Sequence, residues 1–310
     1  MSTDHTQSRG DLNDVVAEKI ARFKSVFVPY PKHVELHDRC DYLQRLGRKT
    51  VGQPQMGLRA IAPSGSGKSM AAEAYMALVE RHRPRTATFI PIVKINLERA
   101  STSKKLMTSI LDFFGDPHSS HGNELVLKRR VLACFQRFGT ELLIVDEVQH
   151  LNYRSGPTSD VTDTLKGMLD AGVVPMVFLG TEDAEGMFKR NLQLNGRLLA
   201  PCDLNPLSAK DPRDQELFSR FVVKLERIVV ETEVLPELSN LGEAGLIPAL
   251  FEISSGMVGR VARLFQIALE LPIRRGGHRL EPSDLSWAAD RWAVEHNFVG
   301  RNPIARMLNG

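Results

Sequence analysis

The sequence predicts an α/β protein with a parallel sheet flanked by helices, followed by a small helical domain. Three observations lead to this fold class. Short apolar segments alternate with helical patterns between residues 51 and 205. One of these segments runs directly into a glycine-rich turn, and an alanine-rich helical pattern follows that turn. After Pro206 the strand patterns fade and helical patterns dominate, so a domain boundary is expected near this residue.

The elements follow in order along the chain. Residues 1–24 are polar and are expected to be frayed or loosely helical, and a helix is predicted in 26–49 after two prolines. Largely apolar segments predict strands at 57–62, 86–97, 142–146 and 172–180. Helices of the sheet domain are predicted at 68–82, 101–114 and 124–138. Helices of the second domain are predicted at 212–226, 243–254, 258–271 and 282–296.

Composition and charge exclude several classes of protein. The sequence has no apolar run of about eighteen residues, so no membrane span is expected. The polar N-terminus lacks the apolar segment of a signal peptide, which favours a cytoplasmic protein. The three cysteines are far apart and form no CxxC pair, which argues against a zinc site or a disulfide framework. The net charge of +3 is too small to establish a nucleic-acid partner.

A phosphate-binding loop is the most informative motif. Ala62–Ser69 matches the pattern GxxxxGK[ST] at every position except the first, where alanine replaces glycine. In such a loop backbone N–H groups point inward and form an anion site at a helix N-terminus. Lys68 is expected to bind the β- and γ-phosphates, and the Ser69 hydroxyl to bind Mg²⁺. The sequence therefore predicts that ATP with Mg²⁺ is bound by Pro63, Ser64, Gly65, Ser66, Gly67, Lys68 and Ser69.

Two adjacent carboxylates follow the third predicted strand. Asp146 is the last residue of that strand and Glu147 comes next. Carboxyl ends of parallel strands lie at the ligand crevice of an open α/β sheet. Asp146 is therefore expected to bind Mg²⁺, directly or through water, and Glu147 to polarise the attacking water. The pair favours ATP hydrolysis over phosphoryl transfer to a small molecule, and solvated acidic residues at a strand end are the alternative interpretation.

These motifs resemble those of AAA+ ATPases over roughly residues 30–296. The resemblance implies an AAA+ phosphate-loop domain followed by a helical lid. We accordingly divide the chain into an N-terminal extension with a linker helix (1–50), a nucleotide-binding domain (51–205), a lid (206–296) and a C-terminal tail (297–310). It also implies a sensor residue at the end of the strand after the acidic pair, where Thr181 stands. Capping of the next helix by the Thr181 hydroxyl is the alternative.

The same resemblance implies two functional arginines. AAA+ proteins place an arginine before the strand that leads to the lid, and it reaches the γ-phosphate bound by a neighbouring subunit. Arg197 is nearest to that position, and Arg190 is the fallback. A second sensor arginine lies at the start of a lid helix. Residues 254–265 resemble that motif, with Arg260 as the expected residue and Arg263 as its alternative.

Within the AAA+ proteins, the sequence resembles the TniB/TnsC family of transposition ATPases. The resemblance rests on a combination of segments: VFVPYP at 26–31, the APSGSGKS loop, LLIVDEVQHL at 142–151, FLGTEDA at 178–184, GMVGRVARLF at 256–265 and Asn302-Pro303 in the tail. It implies a regulator of DNA transposition that binds duplex DNA with ATP, assembles into rings or helical filaments and recruits a transposase. ATP hydrolysis then disassembles the polymer, and a target-selection protein is a further expected partner.

The family resemblance also points to DNA contacts. They are expected on loops after the second strand and near the acidic pair, where this chain has Lys104, Lys105, Tyr153 and Arg154. These side chains would bind phosphates without reading sequence. A charged start of a helix is the alternative for the two lysines. The tail from Phe298 is interpreted as a transposase-docking peptide or a frayed end.

Two other functions stay open at this point. One is a helicase loader or transposition helper of the IstB/DnaC type, which is also an AAA+ ATPase but acts through a different partner. The other is a nucleotide-gated scaffold with little turnover, against which the presence of Glu147 argues.

Overall fold

The computed structural model describes residues 2–151 and 161–308, which group into two compact units. The sheet unit comprises Pro31–Ser64 and Lys68–Asn205. The helical unit comprises Met1–Tyr30, Gly65–Gly67 and Pro206–Gly310.

Within the described residues the sheet unit is built on four parallel strands: β1 (Gly57–Ile61), β2 (Ile92–Asn96), β3 (Leu142–Asp146) and β4 (Met176–Gly180). Their order across the sheet is β1-β4-β3-β2. Ile61 pairs with Gly180, and Asn96 pairs with Asp146, so the carboxyl ends of the strands lie at one edge. Every residue of β3 and β4 is buried, as expected for inner strands of a sheet covered on both faces.

A segment after the last strand, at residues 198–204, lies beside β1. The N–H of Gly57 donates to the carbonyl of Arg197 at 2.8 Å, and the N–H of Leu199 donates back to Gly57 at 2.7 Å. Farther along the segment, the N–H groups of Cys202 and Leu204 donate to the carbonyls of Arg59 and Ile61. The segment at 198–204 thus runs beside β1, and Gly57 and Leu198 form an isolated parallel bridge.

Helices account for most of the remaining chain. In order they are α1 (Ser2–Ser25), α2 (Pro31–Lys49), α3 (Lys68–His82), α4 (Ser103–Phe113), α5 (Glu124–Arg137), α6 (Val161–Asp170), α7 (Glu185–Arg190), α8 (Leu192–Asn195), α9 (Pro212–Glu231), α10 (Ile247–Ser254), α11 (Val258–Ala268), α12 (Glu270–Arg275), α13 (Pro282–Ala288) and α14 (Pro303–Leu308). Helices α2–α8 belong to the sheet unit, and the others belong to the helical unit.

The core of the sheet unit lies between the sheet and helices α4–α6. These helices place fully buried apolar side chains against β2, β3 and β4, among them Leu106, Ile110, Phe135 and Leu165. Thr102 fixes the start of α4, because its hydroxyl accepts a hydrogen bond from the N–H of Lys105. The sheet edge that carries the predicted site is thereby held by a packed scaffold.

The fold class predicted from the sequence is confirmed, with local differences. β2 begins at Ile92 rather than at residue 86, and β4 begins at Met176 rather than at residue 172. A proline precedes each strand, Pro91 and Pro175, and proline has no N–H for the ladder. The helix predicted at 258–271 is divided into α11 and α12, since Pro272 cannot donate to the preceding turn.

Both chain ends are helical, whereas a frayed end was one of the alternatives for each. α1 is one helix with Val16 and Phe23 buried, which agrees with the helical and not with the frayed alternative for residues 1–24. In the tail Asn302 is buried, and its side-chain amide donates to the carbonyl of Ser286 at 2.8 Å. Ile304 is fully buried as well, so the tail up to Leu308 packs on the helical unit and is not a frayed end.

None of the helices described is both long and apolar enough to cross a membrane.

Candidate nucleotide-binding site

The predicted phosphate loop lies between the carboxyl end of β1 and the first residue of α3. Gly65 and Gly67 have φ angles of +85° and +88°, a left-handed conformation that glycine adopts without steric cost. The first N–H groups of α3 have no partner within the helix, because no preceding turn supplies carbonyls. A loop of this shape before a helix N-terminus suits an anion such as a phosphate group.

Lys68, the first residue of α3, is buried, and its Nζ donates to the carbonyl of Ala62 at 3.5 Å. An ammonium group has three donors, so one long bond to a carbonyl leaves donors for phosphate oxygens. Pro63 and Ser69 are half-buried at the two sides of the loop, and Ser64 is exposed. The predicted phosphate-binding residues are therefore contiguous around the start of α3.

The predicted acidic pair lies at the same edge of the sheet. Asp146 is 2% exposed, and its Oδ1 accepts a hydrogen bond from the N–H of Glu147 at 2.9 Å. Glu147 adopts a left-handed backbone conformation, with φ 61° and ψ 41°, and begins a short 3-10 turn at Val148–His150. A non-glycine residue in this region is uncommon and usually reflects a local constraint.

Lys94 was missed by the sequence analysis, yet it contacts Asp146. Its side chain is 10% exposed, and its Nζ lies 3.3 Å from Oδ2 of Asp146 and 2.8 Å from Oε1 of Glu73. The signal in the sequence is a charged residue in the middle of an apolar strand. A charge in that place requires a partner of opposite sign nearby.

Gln149 is a second residue that the sequence analysis missed. The N–H of Thr181 donates to Oε1 of Gln149 at 3.0 Å, and Nε2 of Gln149 donates to Oε2 of Glu147. Thr181 itself precedes a short 3-10 turn, and its hydroxyl does not cap that turn but donates to Asp183 at 3.4 Å. The side chain of Gln149 thus joins the predicted sensor to the predicted base.

Arg197 and Arg190 are the two candidates for the arginine finger, the arginine that reaches the γ-phosphate bound by a neighbouring subunit. Neither lies beside the acidic pair of its own chain. The carbonyl of Arg197 bonds to Gly57 at the start of β1, which is the sheet edge opposite the acidic pair. Its Nε lies 2.7 Å from Oδ1 of Asp170, and the hydrogen bond from Arg197, followed by that from Lys166, lowers the pKa of the Asp170 carboxyl. Arg190 is exposed at the end of α7. Arg197 therefore does not reach the site of its own chain.

Arg260 lies in the first turn of α11, in the helical unit together with the loop tip Gly65–Gly67. Its guanidinium carbon is 4.2 Å from the centroid of the Phe298 ring, and burial lowers the pKa of Arg260. A Cβ at Gly65 would lie 2.8 Å from Cγ of Arg260. Arg263, the alternative, is exposed and donates to Gln266. Of the two arginines, Arg260 is the one in contact with the loop tip.

Of the four DNA-contact candidates, the structure describes Lys104 and Lys105. Lys104 and Lys105 are exposed in the first turn of α4, and Lys105 forms an ion pair with Glu98. Tyr153 and Arg154 lie outside the described residues.

The donor set fits a nucleotide-bound Mg²⁺. The part of the chain that the structure describes contains no group of three His, Cys, Asp or Glu side chains arranged to hold a metal ion. Mg²⁺ that accompanies a nucleotide needs only one or two protein oxygen ligands, because phosphates and water supply the others. The buried carboxylate of Asp146 and the hydroxyl of Ser69 are oxygen donors of the required kind.

The fold is similar to that of AAA+ proteins of the ORC/Cdc6 group. The ORC2 protein of Aeropyrum pernix, in ADPNP and ADP complexes, matches with a TM-score of 0.56 and 13% identity over 82% of this chain and 67% of that chain. The Aeropyrum pernix ORC1 protein in complex with DNA matches with a TM-score of 0.58 and 14% identity over 85% and 66%. Cdc6p of Pyrobaculum aerophilum matches with a TM-score of 0.57 and 12% identity over 87% of this chain and 70% of that chain.

At the level of sequence, the model of the bacterial TniB protein family matches residues 21–206. The match spans the phosphate loop, the acidic pair, Thr181 and Arg197. No curated protein sequence matches the chain.

Proposed function

The chain belongs to the bacterial TniB protein family, and on this premise we propose that it is an ATP-hydrolysing regulator of DNA transposition. It assembles on duplex DNA when ATP is bound, recruits a transposase and is disassembled by hydrolysis. A target-selection protein is a further partner, and the protein acts in the cytoplasm. The observation that supports ATPase activity is that β1, which runs into the phosphate loop, and β3, which ends at Asp146 before Glu147, have their carboxyl ends at the same edge of the parallel sheet.

The residues of this edge have distinct roles in the proposed reaction. The loop N–H groups and Lys68 bind the triphosphate, and Ser69 and Asp146 hold Mg²⁺. When bound, Mg²⁺ would neutralise part of the negative charge of the phosphates. Glu147 accepts a proton from the water that attacks the γ-phosphate, and Thr181 at the end of β4 senses that phosphate. Arg260, in contact with the loop tip, adds a positive charge beside the bound phosphates.

We place the arginine finger of the site on a neighbouring subunit. Arg197 lies beside the amino end of β1, whereas the phosphate loop follows the carboxyl end of β1. The five residues of β1 separate these two ends by roughly 15 Å. The site is therefore completed only when one chain presents Arg197 to the phosphate loop of the next. Such a head-to-tail contact generates a ring or a helical filament.

The DNA-binding surface is proposed at the start of α4 and the segment that includes Arg154. Lys104 and Lys105 are exposed at the start of α4. Their ammonium groups can bind the phosphates of the DNA backbone without reading the base sequence. The ORC1 protein of Aeropyrum pernix, one of the structural relatives, was determined in complex with DNA. DNA binding of this kind weakens as the salt concentration rises.

The assembly is tested by electron microscopy of the protein with duplex DNA and a non-hydrolysable ATP analogue. The proposal expects rings or filaments with the analogue and none with Lys68→Ala, together with an ATP-dependent shift of duplex DNA in gels. No assembly and no shift would exclude the transposition function and leave the helicase-loader alternative. In the same preparation Glu147→Gln should bind ATP but hydrolyse it about 10²- to 10⁴-fold more slowly. Unchanged turnover would contradict the role of Glu147, and negligible wild-type turnover would favour the scaffold.

A further inference from the structure

The short turn after the acidic pair connects the ends of two neighbouring strands. Gln149 lies in the middle of this turn and is half-buried. Its Oε1 accepts the N–H of Thr181, which follows β4, and its Nε2 donates to the carboxylate of Glu147, which follows β3. One side chain therefore spans the gap between the predicted sensor position and the predicted base.

The orientation of the Gln149 amide is dictated by its partners. A backbone N–H can only donate, so the atom that faces Thr181 must be the amide oxygen. An ionised carboxylate can only accept, so the atom that faces Glu147 must be the amide nitrogen. Reversal of the amide would break both hydrogen bonds at once. The side-chain amide supplies both the acceptor and the donor that this pair of contacts needs.

The backbone around Gln149 is constrained as well. A Cβ at Gly180 would lie 2.7 Å from Cγ2 of Val148 and 3.0 Å from Oε1 of Gln149, so only glycine permits this packing. The N–H of His150 donates to the carbonyl of Glu147 at 2.9 Å and closes the turn. The turn that follows Glu147 thus places the side chain of Gln149 beside Gly180 and Thr181 at the end of β4. A displacement of the β4 end must therefore move the Gln149 amide.

We infer that Gln149 is a positioning residue that ties the orientation of the Glu147 carboxylate to the end of β4. This inference rests on the proposed ATPase function. Gln149 holds Oε2 of Glu147 and leaves Oε1 to accept the proton of the attacking water. When the γ-phosphate contacts the β4 end at Thr181, the hydrogen bond through Gln149 sets the carboxylate in its working direction. The coupling runs through the backbone N–H of Thr181 and is independent of its hydroxyl.

The test compares Gln149→Ala with the wild type and with Gln136→Ala, an exposed glutamine on α5 that serves as the matched control. Steady-state kcat and KM for ATP are measured with and without duplex DNA, and binding of a fluorescent ATP analogue and the Tm are measured in parallel. A misdirected carboxylate should lower kcat roughly 10- to 100-fold. KM, analogue affinity and Tm should stay close to those of Gln136→Ala, because Gln149 is not expected to contact the nucleotide.

A double-mutant comparison separates positioning from a purely structural role. If Gln149 acts only through Glu147, adding Gln149→Ala to Glu147→Gln should cause no further loss in single-turnover rate. An unchanged or raised kcat in Gln149→Ala overturns the inference. The inference is also overturned if Gln149→Ala slows the Glu147→Gln variant by the same factor as it slows the wild type, or if a fall in Tm and affinity accounts for the lower rate. If the wild type itself turns over no faster than Lys68→Ala, the proposed ATPase function fails instead.

Discussion

The ammonium group of Lys94 lies 3.3 Å from Oδ2 of Asp146, the carboxylate proposed to hold Mg²⁺. Asp146 is almost completely buried, and the Lys94 side chain is only 10% exposed, so this ion pair lies within the sheet unit. A second carboxylate, Glu73, contacts the same ammonium group from the exposed side. Lys94 thus compensates the charge of Asp146 from within the protein.

The first prediction concerns this compensation. Lys94→Met keeps the length of the side chain but removes its charge, which leaves Asp146 as a buried carboxylate without its cation. Loss of one partner from a buried pair should lower the free energy of unfolding by about 3 kcal/mol. In EDTA, Lys94→Met should have a lower Tm than the wild type. Addition of Mg²⁺ and ADP should raise the Tm of the variant by more than it raises that of the wild type, because the metal restores a cation beside Asp146.

Glu73→Gln is the matched control for Lys94→Met. Glu73 is 62% exposed, so loss of its pair with Lys94 should change stability by less than about 1 kcal/mol. Equal stability of Lys94→Met and wild type in EDTA would contradict the prediction.

The second prediction concerns the close packing of Gly259 on the phosphate loop, within the helical unit. A Cβ at Gly259 would lie 2.4 Å from the carbonyl oxygen of Gly65 and 3.1 Å from the N–H nitrogen of Gly67. These are backbone atoms, so Gly259→Ala must displace the loop tip. We expect nucleotide affinity to fall by about tenfold, the equivalent of about 1.4 kcal/mol of overpacking. A fluorescent ADP analogue measures this change.

Gly242→Ala provides the control, because a Cβ at Gly242 would meet nothing within 4 Å. It should bind the analogue like the wild type. Wild-type affinity in Gly259→Ala would mean that the loop tip moves without cost.

The sequence predicted the local structure of the phosphate loop and of β3, because short-range rules govern it. The phosphate loop needs glycines at two positions and a helix start at Lys68, and β3 is a fully apolar run that ends at a charge. Contacts between segments distant in sequence were not predicted. Lys94 meets Asp146 only because β2 pairs with β3 in one particular register, which no local pattern reveals.

The third prediction tests whether the site is shared between subunits. Arg197→Ala should bind ATP normally but hydrolyse it about 10³-fold more slowly, because the neighbour's γ-phosphate loses its finger. Mixing Arg197→Ala with the inactive Glu147→Gln should restore activity. In a random head-to-tail assembly about a quarter of the contacts pair an intact Glu147 with an intact Arg197, so about a quarter of the wild-type rate is expected. No recovery on mixing would contradict a shared site.

Arg190→Ala identifies which arginine is the finger. If Arg197 has that role, Arg190→Ala should retain most of the wild-type rate. Asp170→Asn, which removes the partner of Arg197 in its own chain, should cost only about 0.5 kcal/mol of stability, because both side chains are partly exposed.

The fourth prediction concerns pH and the helical unit. Glu226 on α9 is buried, and burial raises the pKa of its carboxyl even though Oε1 accepts the N–H of Leu241 at 2.9 Å. The native state therefore keeps this proton to a higher pH than the unfolded chain does. Between the two pKa values the native state binds more protons, so its contribution to stability falls as the pH rises through that window.

Glu226→Gln tests this contribution, because glutamine stays neutral and keeps an oxygen for the N–H of Leu241. We expect the Tm of the variant to rise relative to that of the wild type as the pH increases, because ionisation of the wild-type carboxyl places a charge at a buried position. The difference should shrink as the pH falls towards 4, because the wild-type carboxyl then becomes neutral as well. Thermal unfolding between pH 4 and pH 8 measures the effect. Glu243→Gln, at an exposed carboxyl nearby, is the control and should show a weaker dependence. A Tm difference that stayed constant over this range would show that the charge of Glu226 does not limit stability.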